Sequence, residues 1–103
     1  MNKEKKEYLS LYLLQNEKIR RLKETALQNP EEKEKYISQI KAAQTLRRDI
    51  EEKIEALDGG VLSELLYYKN VCGKTLMQKS YEHNYSVRQI ERLHIKALVK
   101  FEM

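Results

Sequence analysis

The sequence predicts an all-α protein: a long antiparallel helical hairpin followed by a three-helix head that contains a helix-turn-helix. Three observations carry this expectation. The chain of 103 residues holds only three glycines and one proline while 35% of it is charged, a composition that suits helices and disfavours strands. Two long stretches repeat their apolar residues at alternating spacings of four and three, the signature of a helical seam. An S/T-x-x-Q capping box occurs twice, eleven residues apart, at Thr75/Gln78 and at Ser86/Gln89. In such a box the hydroxyl accepts from one orphan backbone amide and the glutamine accepts from another, so a helix begins at each.

The first helix is expected from about Lys5 to Leu27, with Tyr8, Tyr12, Gln15, Ile19, Leu22 and Ala26 along one seam. Asn29-Pro30-Glu31-Glu32 then places a cap, a first-turn proline and an N3 glutamate in register, so Pro30 starts a helix here. This second helix runs to about Leu57, with Tyr36, Ile40, Ala43, Arg47, Ile50, Ile54 and Leu57 in the same rhythm. A short connection makes the pair antiparallel, and Leu9, Leu13, Ile37 and Leu46 broaden its apolar face. Gln15 and Arg47 are polar seam residues of the kind that set register. Two helices build only a thin core. The remaining apolar surface must therefore meet the C-terminal unit, a second copy of the chain or another protein.

Asp58-Gly59-Gly60 ends the second helix, since glycine accepts the left-handed conformation that closes helices. The boundary falls there, dividing a hairpin of residues 1–58, a candidate for oligomerisation, from a head of residues 59–103. Val61 to about Val71 forms the first head helix, with Leu62, Leu65, Leu66 and Tyr68 covering the motif, and Cys72-Gly73 closes it. The next helix starts at the Thr75 cap, with Leu76, Met77 and Tyr81 as its evident packing residues. His83-Asn84-Tyr85 is the turn, where Asn84 is expected to be left-handed. The last helix runs from about Val87 to Phe101 and turns Ile90, Leu93, Ala97, Leu98 and Phe101 inward. Arg88, Glu91, Arg92 and Lys96 share the opposite stripe, the one that enters the major groove in a helix-turn-helix.

These residues bring a family into view. Ser86-Val87-Arg88-Gln89-Ile90-Glu91-Arg92-Leu93, followed by Lys96-Ala97-Leu98, resembles the recognition helix of sigma-factor region 4, ungapped through Phe101. Tyr68, Gly73, Thr75-Leu76, Tyr85-Ser86 and the helical N-terminal half extend the likeness. The whole chain is similar to the small ArpU-like and RinA-like regulators of late genes in phages and prophages of Gram-positive bacteria. The resemblance implies base-reading positions at Val87, Arg88 and Arg92, with Lys96 near the backbone. It departs from such motifs at Lys79-Ser80, where they carry isoleucine and alanine, and at His83, where they carry leucine. Lys79 must then snorkel, or the helix must rotate.

Other chemistries find no footing. The lone Cys72 has no disulfide partner, and with His83 and His94 it lacks the paired spacing of a zinc site. Cys72 is expected as a small core residue, His83 at the surface by the turn, and His94 as a packed or phosphate-facing side chain. No phosphate loop and no nucleophile with a base at a known spacing appears, which points away from an enzyme and from any cofactor. No apolar run approaches the roughly 20 residues that cross a bilayer, and the charged start is not a signal peptide, so a cytoplasmic protein is expected. Residues 1–58 hold thirteen basic against twelve acidic side chains, and residues 59–103 hold seven against four. A mildly basic head suits specific binding through a few phosphate contacts.

The expected function is transcriptional control of phage or prophage genes through double-stranded DNA. Arg88 and Arg92 read base edges, while Ser86 and its helix start hold a phosphate, with Lys74 and Lys96 adding charge. A homodimer through the hairpin fits this reading. Two alternatives stand beside it: a DNA-packaging subunit like a small terminase, and an adaptor that contacts RNA polymerase.

Overall fold

The computed structural model describes residues 2–57 and 60–103, and of residue 83 the backbone only. Five α-helices follow one another among the described residues: α1 (Lys3–Gln28), α2 (Lys33–Glu55), α3 (Val61–Asn70), α4 (Leu76–His83) and α5 (Val87–Lys100). No strand occurs among them, as the composition predicted. Asp58 and Gly59, expected to end the second helix, lie outside the described residues; Gly60 is left-handed at φ 91°.

α1 and α2 form the expected antiparallel hairpin. Its cross-helix hydrogen bonds show the direction: Lys53 Nζ donates to Tyr8 Oη at 3.1 Å, Tyr12 Oη to Glu51 at 2.6 Å, and Arg47 Nη1 to Asn16 Oδ1 at 2.8 Å. Tyr8 also donates to Asp49, which pairs with Lys53 at 2.9 Å. The seams face each other as the spacing required, with Tyr12, Ile19, Ala43, Ile50, Ile54 and Leu57 buried. Arg47 and Gln15 are half-buried seam residues, and Arg47 finds its partner in Asn16. Leu13 contributes less than expected and stays 39% exposed, its methyls beside Gly73.

The connection between them corrects the expected cap. Asn29 does not cap the second helix. Its backbone N–H and its side-chain amide both donate to the Thr25 carbonyl at 3.0 Å, so it closes α1 instead. Pro30–Glu32 forms a single 3₁₀ turn, and α2 begins only at Lys33. A side chain turned back onto the preceding helix is not available to the following one, and a tight i→i+3 turn fits the reversal.

The head packs on the open end of the hairpin. Leu9 and Tyr12 of α1, Ile50 and Ile54 of α2, Leu57 just beyond it, Leu66 of α3, and Ala97, Leu98 and Phe101 around α5 form one buried cluster. This cluster crosses the sequence boundary at residue 58, so much of the hairpin's surplus apolar surface meets the C-terminal unit. The closed end projects, giving extents of 53 × 26 × 22 Å. Phe101 was expected inside the last helix. It lies just past it, with extended backbone at φ −66° and ψ 129°, and its ring is fully buried beside Tyr8.

Cys72 departs from expectation as well. It is exposed, because α3 stops at Asn70 and the chain curls back, with Cys72 N donating to the Tyr67 carbonyl at 3.1 Å. Gly73 then takes φ 71°, and the cysteine never reaches the inward face of α3. No described helix is long and apolar enough to cross a membrane.

Candidate nucleic-acid interface

Both capping boxes form. At α4, Gln78 N donates to Thr75 Oγ1 at 3.1 Å and Thr75 N to Gln78 Oε1 at 2.7 Å. At α5, Gln89 N donates to Ser86 Oγ at 3.1 Å and Ser86 N to Gln89 Oε1 at 2.9 Å. A cap of this kind stabilises a helix start by about 0.5–2 kcal/mol, which matters for an α4 of only eight residues. Between the helices Asn84 is left-handed at φ 56° and ψ 27°, as the turn required of a non-glycine residue. Ser80 Oγ donates to the Tyr85 carbonyl at 2.7 Å, tying the turn back to α4. The serine that stands where related motifs carry alanine is small enough for close helix packing, and its hydroxyl also fixes the turn.

The inward face of α4 is not the one expected. Met77 and Tyr81 are 56% and 80% exposed, whereas Lys79 is only 3% exposed. Leu76, Lys79 and Ser80 share the face toward the head, and Met77 and Tyr81 lie off it by one residue of helical rotation. Lys79 does not snorkel to water; the helix is rotated from the expected face, and the buried ammonium passes over the Tyr68 ring at 4.6 Å and reaches Glu64 Oε1 at 3.1 Å. Glu64 is exposed but the Lys79 side chain is not, so the ammonium stays inside the head and is offset by the carboxylate and the ring. Burial, and then the Glu82 carboxylate, push the Tyr68 hydroxyl up to about 12.

On α5 the helical stripe is as expected. Ile90, Ala97 and Leu98 are buried with His94 beside them, Leu93 is only half-buried, and Arg88, Glu91, Arg92 and Lys96 are exposed. Among the described residues no carboxylate lies within ion-pair distance of Arg88, Arg92 or Lys96. Val87, at 39% exposure, and Ser86 flank the helix start, where the first amides carry the positive end of the helix dipole. Arg92 also borders a shallow groove with Val61, Tyr85, Gln89 and Leu93. Lys74 stands apart from this group. It pairs with Glu82 at 3.6 Å and lies over the Tyr68 ring, 5.1 Å from its centroid.

His94 is packed, not phosphate-facing. It is 6% exposed, and burial, reinforced by the nearby charges of Lys69 and Lys6, holds its imidazole down at about 4. The side chain of His83 lies outside the described structure. No group of three histidine, cysteine, aspartate or glutamate side chains among the described residues could hold a metal ion.

Two features escaped the sequence reading. Ile95 and Val99 are 57% and 62% exposed on the arginine side of α5; their positions off the inward stripe were a legible signal. Lys5 Nζ donates to the Leu98 and Val99 carbonyls at 2.9 and 3.0 Å, so the first helix caps the last. No local pattern announces that contact. No family model, curated protein or solved structure matches this chain.

Proposed function

We propose that the protein is a sequence-specific double-stranded DNA-binding regulator whose α5 is the recognition helix. One observation carries the reading: Arg88 and Arg92 project, exposed and with no carboxylate partner among the described residues, from a helix whose start is fixed by a capping box after a left-handed Asn84. Two guanidiniums four residues apart share one face, and each can donate a fork of hydrogen bonds to the N7 and O6 of guanine. Val87 takes the third base-reading position that the resemblance implies, Ser86 and the free amides of the first turn approach the backbone, Lys96 adds charge one turn further on, and Lys74 would have to leave Glu82 to join them.

The resemblance to ArpU-like and RinA-like proteins, through the Ser86–Leu93 segment, supports a role in phage or prophage transcription. The projecting hairpin supports self-association: Leu27 is 83% exposed near Ala26, Pro30, Ile37 and Ile40. A regulator of this kind is a monomer or dimer in solution, whereas a packaging subunit assembles a ring, and a mass measurement separates the two.

The decisive experiment selects binding sites from a randomised duplex library and then compares Arg92→Ala with the wild type on the selected site. The variant should bind about 1–3 kcal/mol more weakly at fixed salt, with an unchanged melting temperature. Equal binding would remove Arg92 from the base-reading set, and a library that yields no preferred sequence would refute the function.

A further inference from the structure

Resting on the DNA-reading proposal, we infer that Ile95 is a specificity-determining residue, and that the group it takes is the C5 methyl of a thymine in the major groove. α5 buries one side so completely that Ile90 and Ala97 are 0% exposed and Leu98 1%, yet it leaves Ile95 57% exposed. A β-branched apolar side chain held in water at that position has no packing role to explain it among the described residues.

Its position gives it one. At about 100° per residue, Arg88, Arg92 and Ile95 fall within roughly 60° of one another around the helix axis. Along the axis, at 1.5 Å per residue, Arg88 lies about 6 Å before Arg92 and Ile95 about 4.5 Å beyond it. A pose that brings both arginines to base edges therefore brings Ile95 to the floor of the same groove. Val99 shares the stripe but lies about 6 Å further out, where a straight helix has parted from a groove that winds around the duplex.

The ligand follows from the chemistry of the groove. Guanine, adenine and cytosine present only donors and acceptors there, and an isoleucine facing them strips water without replacing its hydrogen bonds. Thymine alone presents an apolar group, its methyl. With base pairs about 3.4 Å apart, Ile95 should read a thymine one or two pairs beyond the base read by Arg92, on the side away from the Arg88 contact.

The test uses the intact chain and its selected duplex. Wild type, Ile95→Ala and Val99→Ala are each put through the same library selection, and each is then titrated against the selected site with that thymine replaced by deoxyuridine, which removes the methyl alone. We expect a thymine at the stated offset for wild type and Val99→Ala, with loss of about fourfold in affinity on the uridine site. Ile95→Ala should keep the guanine preference, lose the thymine preference and bind both duplexes alike. A guanine preference with no thymine at that offset, or a wild type indifferent to uridine, overturns the Ile95 assignment and leaves the arginine reading intact. Absence of any sequence preference in the wild type overturns both.

Discussion

His94 sets a pH dependence that can be worked from its surroundings. The imidazole is 6% exposed between α5 and neighbours that include Lys69 and Lys6, and burial together with those two positive charges holds it at about 4, against 6.5 in the unfolded chain. Above pH 6.5 the group is neutral in both states and costs nothing. As pH falls below 6.5 the unfolded chain takes up a proton that the native state refuses, so stability is lost progressively until about pH 4, where the native imidazole titrates too. At about 1.4 kcal/mol per pKa unit, the interval corresponds to about 3 kcal/mol. For a domain of this size, whose total stability is on the order of 5–15 kcal/mol, that is a large fraction. Urea unfolding of the wild type and of His94→Leu, each at pH 7 and pH 4.5, isolates the effect, because the carboxylates titrate in both proteins and cancel in the difference. The wild type should lose about 2–3 kcal/mol more than the variant between the two pH values. Parallel losses in the two proteins, or an NMR titration that finds His94 protonating near 6.5, would refute the buried neutral imidazole.

Other expectations follow from the core and the motif. Ile50→Glu places a carboxylate at a fully buried seam position beneath the head and should abolish the cooperative melt seen by circular dichroism; retained helicity and an unchanged assembly state would mean that the seam register is wrong. Lys79→Met keeps the stem over Tyr68 and removes the buried ammonium, so its unfolding free energy should match or exceed that of the wild type, whereas that of Lys79→Ala should be lower by about 1–2 kcal/mol. Equal losses in both would show that the Glu64 ion pair, and not the stem, holds α4. A fragment of residues 59–103 loses the cover that Leu9, Tyr12, Ile50, Ile54 and Leu57 give to Leu66, Leu98 and Phe101. It should be helical but weakly stable, and a melt as cooperative as that of the intact chain would show that the head holds its own core.

What the sequence determined by itself is the set of local decisions. A capping box is an exchange between residues three apart, so Thr75/Gln78 and Ser86/Gln89 could be read before any fold was known, as could the left-handed Asn84 between them. The seams of the hairpin were legible for the same reason, since a helix returns a side chain to one face every three or four residues. The exposed stripe of Arg88, Arg92 and Lys96 follows from that rotation once Ile90, Ala97 and Leu98 are inside. Tertiary structure decided the rest. Lys79 is buried because Tyr68 and Glu64 of α3 offer its stem a ring and its ammonium a carboxylate, neither of which α4 encodes. Asn29 caps the preceding helix and not the following one, a choice between two nearby partners that the hairpin geometry makes. Cys72 is exposed because α3 ends two residues before it. Phe101 leaves the helix and still fills the core because α1 and α2 bring Leu9, Ile50 and Ile54 to meet it. Lys5 closes α5 from 93 residues away; its ammonium finds orphan carbonyls only after the head has docked on the open end of the hairpin, and no pattern along the chain carries that information.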